Sequence, residues 1–310
     1  MKRKIFCLIL ASLLCLAALP ASAQEALPEP VCFEDSLGQQ VEVNSPKRVA
    51  ALIGSFAHIW HLAGGTEQLV AAANDTWTSF DIPLNDDVVN LGASKKVNLE
   101  KIIASNPDFI LASANTEANL ILREPLEAMG IPTAYFQVST FEEYLSMLRI
   151  CTQITGCEEN YQRYGEAVRS QVEAAKERAD GSAPSALYIR VSGSGCKVKS
   201  SEGSVLGEML ADLGAVNIAD SETSLLENLS MEAILAQDPE FIFVVLQSTD
   251  PAVAQGVMEQ TLLSDPAWQS LSAVQEGRFY ILDQTLYNLK PNDRWGEAYE
   301  KLAQILYPGA

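Results

Sequence analysis

The sequence predicts an α/β protein: two Rossmann-like lobes with mostly parallel sheets, joined by one long α-helix. Three observations carry this expectation. Apolar runs of strand length alternate with amphipathic runs of helix length, the pattern of a parallel sheet covered by helices. A 22-residue amphipathic stretch, Glu158 to Ala179, interrupts the alternation near mid-chain. Lastly, the 13 residues 98–110 align without gaps with residues 230–242, so both halves should share one topology.

Residues 1–23 read as an export signal, with the cations Lys2, Arg3 and Lys4, the apolar run Ile5 to Leu19, and Ala21-Ser22-Ala23 before Gln24. The run is short for a bilayer span. A lipoprotein signal would set a small residue before an acylated cysteine, whereas Cys15 follows Leu13-Leu14 inside the apolar run. Cleavage at Ala23-Gln24 and an extracytoplasmic location, periplasmic or cell-envelope associated, are therefore expected. Residues 24–47 form an N-terminal extension and a β-hairpin, Val31 to Val43, that turns at Ser36-Leu37-Gly38-Gln39.

The N-terminal lobe is expected over 48–157. It opens with the strand Val49 to Ile53 and a helix around Ala57 to Leu62 that stops at Gly64-Gly65, followed by the strand Leu69 to Ala72. A helix from Leu99 is ended by Pro107, which lacks the N–H a helix interior needs. The strand Phe109 to Ala112, a helix ending near Gly130 and the strand Thr133 to Phe136 complete the lobe. The interlobe helix is assigned to 158–182, with Tyr161, Tyr164, Val168, Val172 and Ala175 on one face. Its 22 amphipathic residues would extend roughly 33 Å. The C-terminal lobe, 183–310, begins with the strand Ala186 to Arg190.

In the repeat, Glu100-Lys101-Ile102-Ile103-Ala104 with Pro107 and Phe109 corresponds to Glu232-Ala233-Ile234-Leu235-Ala236 with Pro239 and Phe241. Packing on a sheet and helix termination account for the apolar residues and the prolines. An acidic residue in each first turn is only partly accounted for by the helix dipole.

The chain has 310 residues, 48% of them apolar, with 21 Lys and Arg against 40 Asp and Glu. Signal removal takes away three cations and no anion, moving the formal charge from −19 to −22. Such an excess of acid excludes nucleic acid as a natural partner. Cys32, Cys151, Cys157 and Cys196 remain after cleavage, in a compartment that permits disulfides, and Cys151 with Cys157 could bridge around a helix end or stay as buried thiols. His58 and His61, the only histidines, could face one way on a helix, but two ligands make no closed metal site, so no metal is expected. No CxxCH, GxSxG, phosphate loop or dinucleotide fingerprint is present, and no cofactor is expected.

Asp35-Ser36-Leu37-Gly38, Pro46-Lys47-Arg48-Val49, Asn98-Leu99-Glu100-Lys101-Ile102, Asn106-Pro107-Asp108 and Arg294-Trp295-Gly296-Glu297-Ala298-Tyr299 occur in this order and spacing. Together with the signal, the lobes and the joining helix, they resemble the substrate-binding proteins of vitamin B12, haem and iron-siderophore ABC importers, the class III periplasmic binding proteins. The resemblance spans residues 31–310. It implies a monomeric extracytoplasmic protein that holds an iron-siderophore, haem or corrinoid between two rigid lobes and delivers it to an ABC transporter permease with its ATPase. It implies no enzyme activity, and it assigns Glu100 and Glu232 to permease docking. The sequence departs from many relatives of single-membrane bacteria in showing no lipidation cysteine. A secreted hydrolase with an acidic site and a surface adhesin are the competing classes.

In open α/β sheets ligands lie beyond the C-terminal ends of strands. The residues there that could embrace a large planar or chelated ligand are Phe56, Trp77, Asn115, Thr116, Arg190, Gln247 and Tyr287, with Arg294 as a second cation. Arg190 stands out because a cation ending an apolar strand in an acidic protein needs a partner, either an anionic ligand or a neighbouring carboxylate.

Overall fold

The computed structural model describes residues 29–248 and 250–309; the export signal expected over 1–23 lies outside the described residues. The chain opens with an antiparallel hairpin of β1 (Val31–Glu34) and β2 (Gln40–Val43), Val31 opposite Val43. Asp35 fixes both its turn and its place. One carboxylate oxygen accepts from the Leu37 and Gln39 amides at 2.9 and 3.0 Å, and the other accepts from the Tyr135 amide at 3.0 Å. Gly38 takes φ 76°, where a side chain would be strained.

Two five-stranded sheets follow. In the first, β3 (Val49–Ala51), β4 (Leu69–Ala72), β5 (Val89–Asn90), β6 (Phe109–Ser113) and β7 (Thr133–Phe136) run parallel in the order β5-β4-β3-β6-β7. In the second, β8 (Ser185–Ser192), β10 (Val216–Asn217), β11 (Phe241–Gln247) and β12 (Phe279–Leu282) are parallel in the order β10-β8-β11-β12, and β9 (Gly195–Lys199) pairs antiparallel with β8. Chain direction across each sheet reverses beside its first strand, at β3/β6 and at β8/β11. Strands covered on both faces are apolar throughout: every residue of β6 is buried, as are the first five of β11.

Helical backbone joins the lobes from 158 to 176, as Glu158–Tyr161, a π-turn at Gln162–Glu166, and Ala167–Lys176. It stops three residues short of Ala179, the end expected from sequence, with the chain turning at Glu177 and Arg178. Val168, Val172 and Ala175 bury their side chains, and the C-terminal helix Trp295–Leu306 packs along the connector. Gly296 makes that approach possible, since a Cβ there would lie 2.2 Å from the Gln171 side chain. Trp295 meets Phe141 at 6.0 Å between ring centroids, and Lys176 pairs with Asp212 at 2.7 Å.

The repeat folds as two equivalent units. Leu99–Ser105 is capped by Asn98, whose side chain accepts from the Lys101 amide, and Met231–Gln237 by Ser230, which accepts from the Ala233 amide. Both helices end on a left-handed residue before proline, Asn106 at φ 46° and Asp238 at φ 39°. Ile102 and Ile234 are fully buried. The cysteines Cys32, Cys151, Cys157 and Cys196 are all free thiols, so the Cys151–Cys157 bridge left open by the sequence is not formed. Cys151 is wholly enclosed, and burial pushes its thiol pKa up. Among the described residues no helix is long and apolar enough to cross a membrane.

Candidate ligand-binding cleft

A cavity of about 680 Å³ opens where the C-terminal ends of the two sheets face each other. Its lining draws on the segments that follow β3, β4, β5, β6 and β7 in one lobe and on the end of β8 and the segments after β9 and β12 in the other, with Gln247 closing β11. Such crevices beyond the strand ends are where open α/β sheets bind ligands.

On the N-terminal side, the chain leaves β3 straight into the helix Gly54–Leu62. The Gly54 amide donates to Asp75 Oδ2 at 2.9 Å, and a Cβ on Gly54 would sit 2.6 Å from the Thr76 nitrogen, so the β4 loop crosses closely over the helix start only because that residue is glycine. The other Asp75 oxygen is buried without a hydrogen-bond partner. Burial raises the Asp75 pKa from its ordinary value, while the Gly54 hydrogen bond and the nearby Lys290 pull it back. Asn115 Nδ2 donates to Ser139 Oγ at 3.2 Å, and Thr116 Oγ1 to Ser113 Oγ at 3.0 Å.

On the C-terminal side, the helix Val205–Asp212 starts at the cleft wall, and its N-cap Ser204 turns its hydroxyl to the Ser200 carbonyl instead of capping the helix. Arg190 and Lys290 line the same space, and Lys95 reaches it from the β5 loop. Lys290 is half-buried by surface area, yet its ammonium sits among closely packed atoms. Burial, with Arg190 nearby, lowers its pKa to about 8. Lys199 is lowered by burial and then by Arg190 and Lys197, a mark of how cationic the β8–β9 hairpin is. Among the described residues no carboxylate lies within 4.0 Å of Arg190, Lys290 or Lys95.

Four residues expected from sequence line the cleft: Asn115, Thr116, Arg190 and Gln247. Four do not. Phe56 is fully buried on the helix face turned to the sheet, edge-on to Phe136 at 6.2 Å. Tyr287 sits on a four-residue helix that turns it toward the C-terminal helix, where its hydroxyl donates to the Ala298 carbonyl at 3.0 Å. Trp77 is 41% exposed on the helix Asp75–Ser79, outside the lining. Arg294 forms a two-pronged pair with Glu297 at 2.7 and 3.1 Å, the structural use of that cation. Glu100 and Glu232 are exposed in the first turns of their helices, outside the cleft.

His58 and His61 stack at 6.0 Å, but each has a hydrogen-bond partner, Asn292 and Thr66, and no group of three metal-ligating side chains occurs among the described residues. Lys95, Ser204 and Lys290 escaped the sequence reading because they follow a two-residue strand, an unforeseen hairpin and a short helix. The visible signal was the cation count: few lysines and arginines occur in this chain, and the Asn288-Leu289-Lys290-Pro291 loop places one beside apolar and helix-breaking neighbours.

Residues 49–286 match the family model described as periplasmic binding protein. The chain is 24% identical over 286 residues to an uncharacterized ABC transporter substrate-binding lipoprotein, YvrC, of Bacillus subtilis, covering 90% of this chain and 86% of the relative. It is 26% identical over 206 residues to the vitamin B12-binding protein of Pectobacterium atrosepticum, covering 64% and 71%. The periplasmic heme-binding protein RhuT from Roseiflexus, in apo form, shares the fold with a TM-score of 0.69 at 20% identity, over 84% of this chain and 98% of that one.

Proposed function

The chain belongs to the periplasmic binding protein family, and from that premise we propose that it captures a metal chelate, haem or corrinoid in the cleft between its lobes and delivers it to an ABC permease driven by its ATPase. The observation that carries this reading is the cavity itself, lined by residues that follow strands of both sheets, with Arg190, Gln247, Asn115 and Thr116 among them. The relatives are substrate-binding proteins rather than enzymes, and the proposal is that this chain likewise binds without turnover. It acts as an exported monomer cleaved at Ala23-Gln24, with lobes at 48–157 and 183–310 joined through 158–182.

Glu100 and Glu232 serve as permease contacts. Their support is the paired fold of the repeat, which gives each lobe one exposed carboxylate at an equivalent helix start. Carboxylate-to-guanidinium pairing is directional, which suits a docking step that must orient the cleft. Native mass spectrometry of the protein purified from its own host tests the reading. A co-purifying ligand at one-to-one stoichiometry is expected, with no hydrolysis of ester, phosphate or glycoside panels; turnover without retained ligand would reject it.

A further inference from the structure

The relatives span ligands of very different chemistry, and the cleft walls discriminate among them. None of the described residues that line the cavity is aromatic, so nothing there stacks on a macrocycle. None is a histidine, tyrosine, methionine or cysteine, so no side chain is at hand to take an axial position on a haem or corrinoid metal. Both histidines are engaged elsewhere, with Asn292 and Thr66. The cleft instead gathers three cations, Lys95, Arg190 and Lys290, with no carboxylate within 4.0 Å of them among the described residues, in a chain whose mature formal charge is strongly negative.

The helix Val205–Asp212 starts at this cavity without a cap from its Ser204 side chain, whereas the start of Gly54–Leu62 is already met by the Asp75 carboxylate, which accepts from the Gly54 amide. The first of these therefore adds partial positive charge from the C-terminal lobe. Two carboxylates, Asp75 and Glu117, also line the space.

We propose, resting on the binding-protein reading above, that the cleft takes a polycarboxylate carried as its ferric chelate, and neither haem nor a corrinoid. The carboxylates meet the cations of both lobes and the start of the helix Val205–Asp212. A guanidinium at Arg190 can hold one carboxylate by two parallel hydrogen bonds.

Calorimetric titration of the exported protein with ferric citrate, iron-free citrate, haemin and cyanocobalamin tests this. One-to-one binding of ferric citrate is expected, at least 100-fold tighter than haemin or cyanocobalamin and at least tenfold tighter than iron-free citrate. Arg190→Met and the rim variant Lys95→Ser should each weaken ferric citrate, by at least tenfold for the first. Lys95 is exposed, so its replacement leaves folding intact. Tighter binding of haemin or cyanocobalamin overturns the inference while leaving the binding-protein reading in place. Equal affinity for iron-free citrate overturns the chelate half, and affinity indifferent to both variants overturns the cation assignment. Failure of all four ligands, with nothing co-purifying by mass, overturns the inference and the reading together.

Discussion

Asn292 in the C-terminal lobe reaches into the N-terminal lobe to bond His58: its Nδ2 lies 3.0 Å from His58 Nδ1 and donates to the Ser55 carbonyl at 3.0 Å. The residue is fully buried and adopts φ 56°, a left-handed conformation that asparagine accepts more readily than other side chains. With the amide donating, His58 Nδ1 accepts, so the ring is neutral with its proton on Nε2. Asn292→Ala should remove both bonds and place a Cβ residue in a strained backbone, costing about 2 to 4 kcal/mol. Asn292→Gly should cost less, because it loses the bonds but relieves the backbone. Urea unfolding measures both, and equal, small changes would show that this latch contributes little.

The His58 interaction also sets an acid limit. Burial, reinforced by His61, lowers the His58 pKa to about 4 in the fold, against an ordinary value near 6.5. Between those values the unfolded chain binds more protons, so stability rises with pH across that window and falls as pH drops from 6.5 toward 4. For a partly exposed ring the loss is at most about 3 kcal/mol. Asp75 and Asp293, raised by burial, work in the opposite sense. His58→Gln keeps an acceptor for Asn292 without the titration, so its unfolding free energy should fall less between pH 7 and 5. An identical slope in the variant would exclude His58 as the source.

Lys290 should impose a pH dependence of a different sign on binding. Its pKa near 8 means that the free protein starts to lose this cation just above neutrality. An anionic chelate favours the charged form, so affinity for ferric citrate should be full near pH 7 and decline as pH rises through 8, by about tenfold by pH 9.5, on the scale of losing one charge-assisted hydrogen bond. Lys290→Arg should flatten this decline. A profile unchanged between the two proteins would remove Lys290 from the binding surface.

Delivery should depend on the paired acids. Glu100→Ala combined with Glu232→Ala is expected to leave ligand affinity within twofold and to lower permease-stimulated ATP hydrolysis several-fold, with charge reversal more severe. Were these only helix-start acids, the double variant would lose roughly 0.3 to 1 kcal/mol of stability per site and transport normally.

The sheets were readable because strands buried on both faces must be apolar runs: Leu69–Ala72 and Thr133–Phe136 have the same bounds in sequence and structure. The repeat was readable because a proline after a left-handed cap constrains residue type at each step. Side-chain direction was not. Phe56 and Tyr287 follow their strands as expected, yet each lies on a helix whose rotation turns it into the core, and a linear reading fixes no rotation for such short elements. The two-residue strands β5 and β10 carry too little pattern to be seen, so Lys95, which follows the first of them, had no frame. Arg190 was legible for the opposite reason: a cation at the end of an apolar strand violates the pattern around it.

The close fit of Gly296 against Gln171 bears on how the molecule is made. The connector's buried face, Val168, Val172 and Ala175, is covered by a helix that begins at Trp295, some 120 residues further along the chain. A polypeptide made N-terminus first cannot seal that face until residues 295–306 have been synthesised. Tight docking of the C-terminal helix on the connector is thus deferred to the end of synthesis.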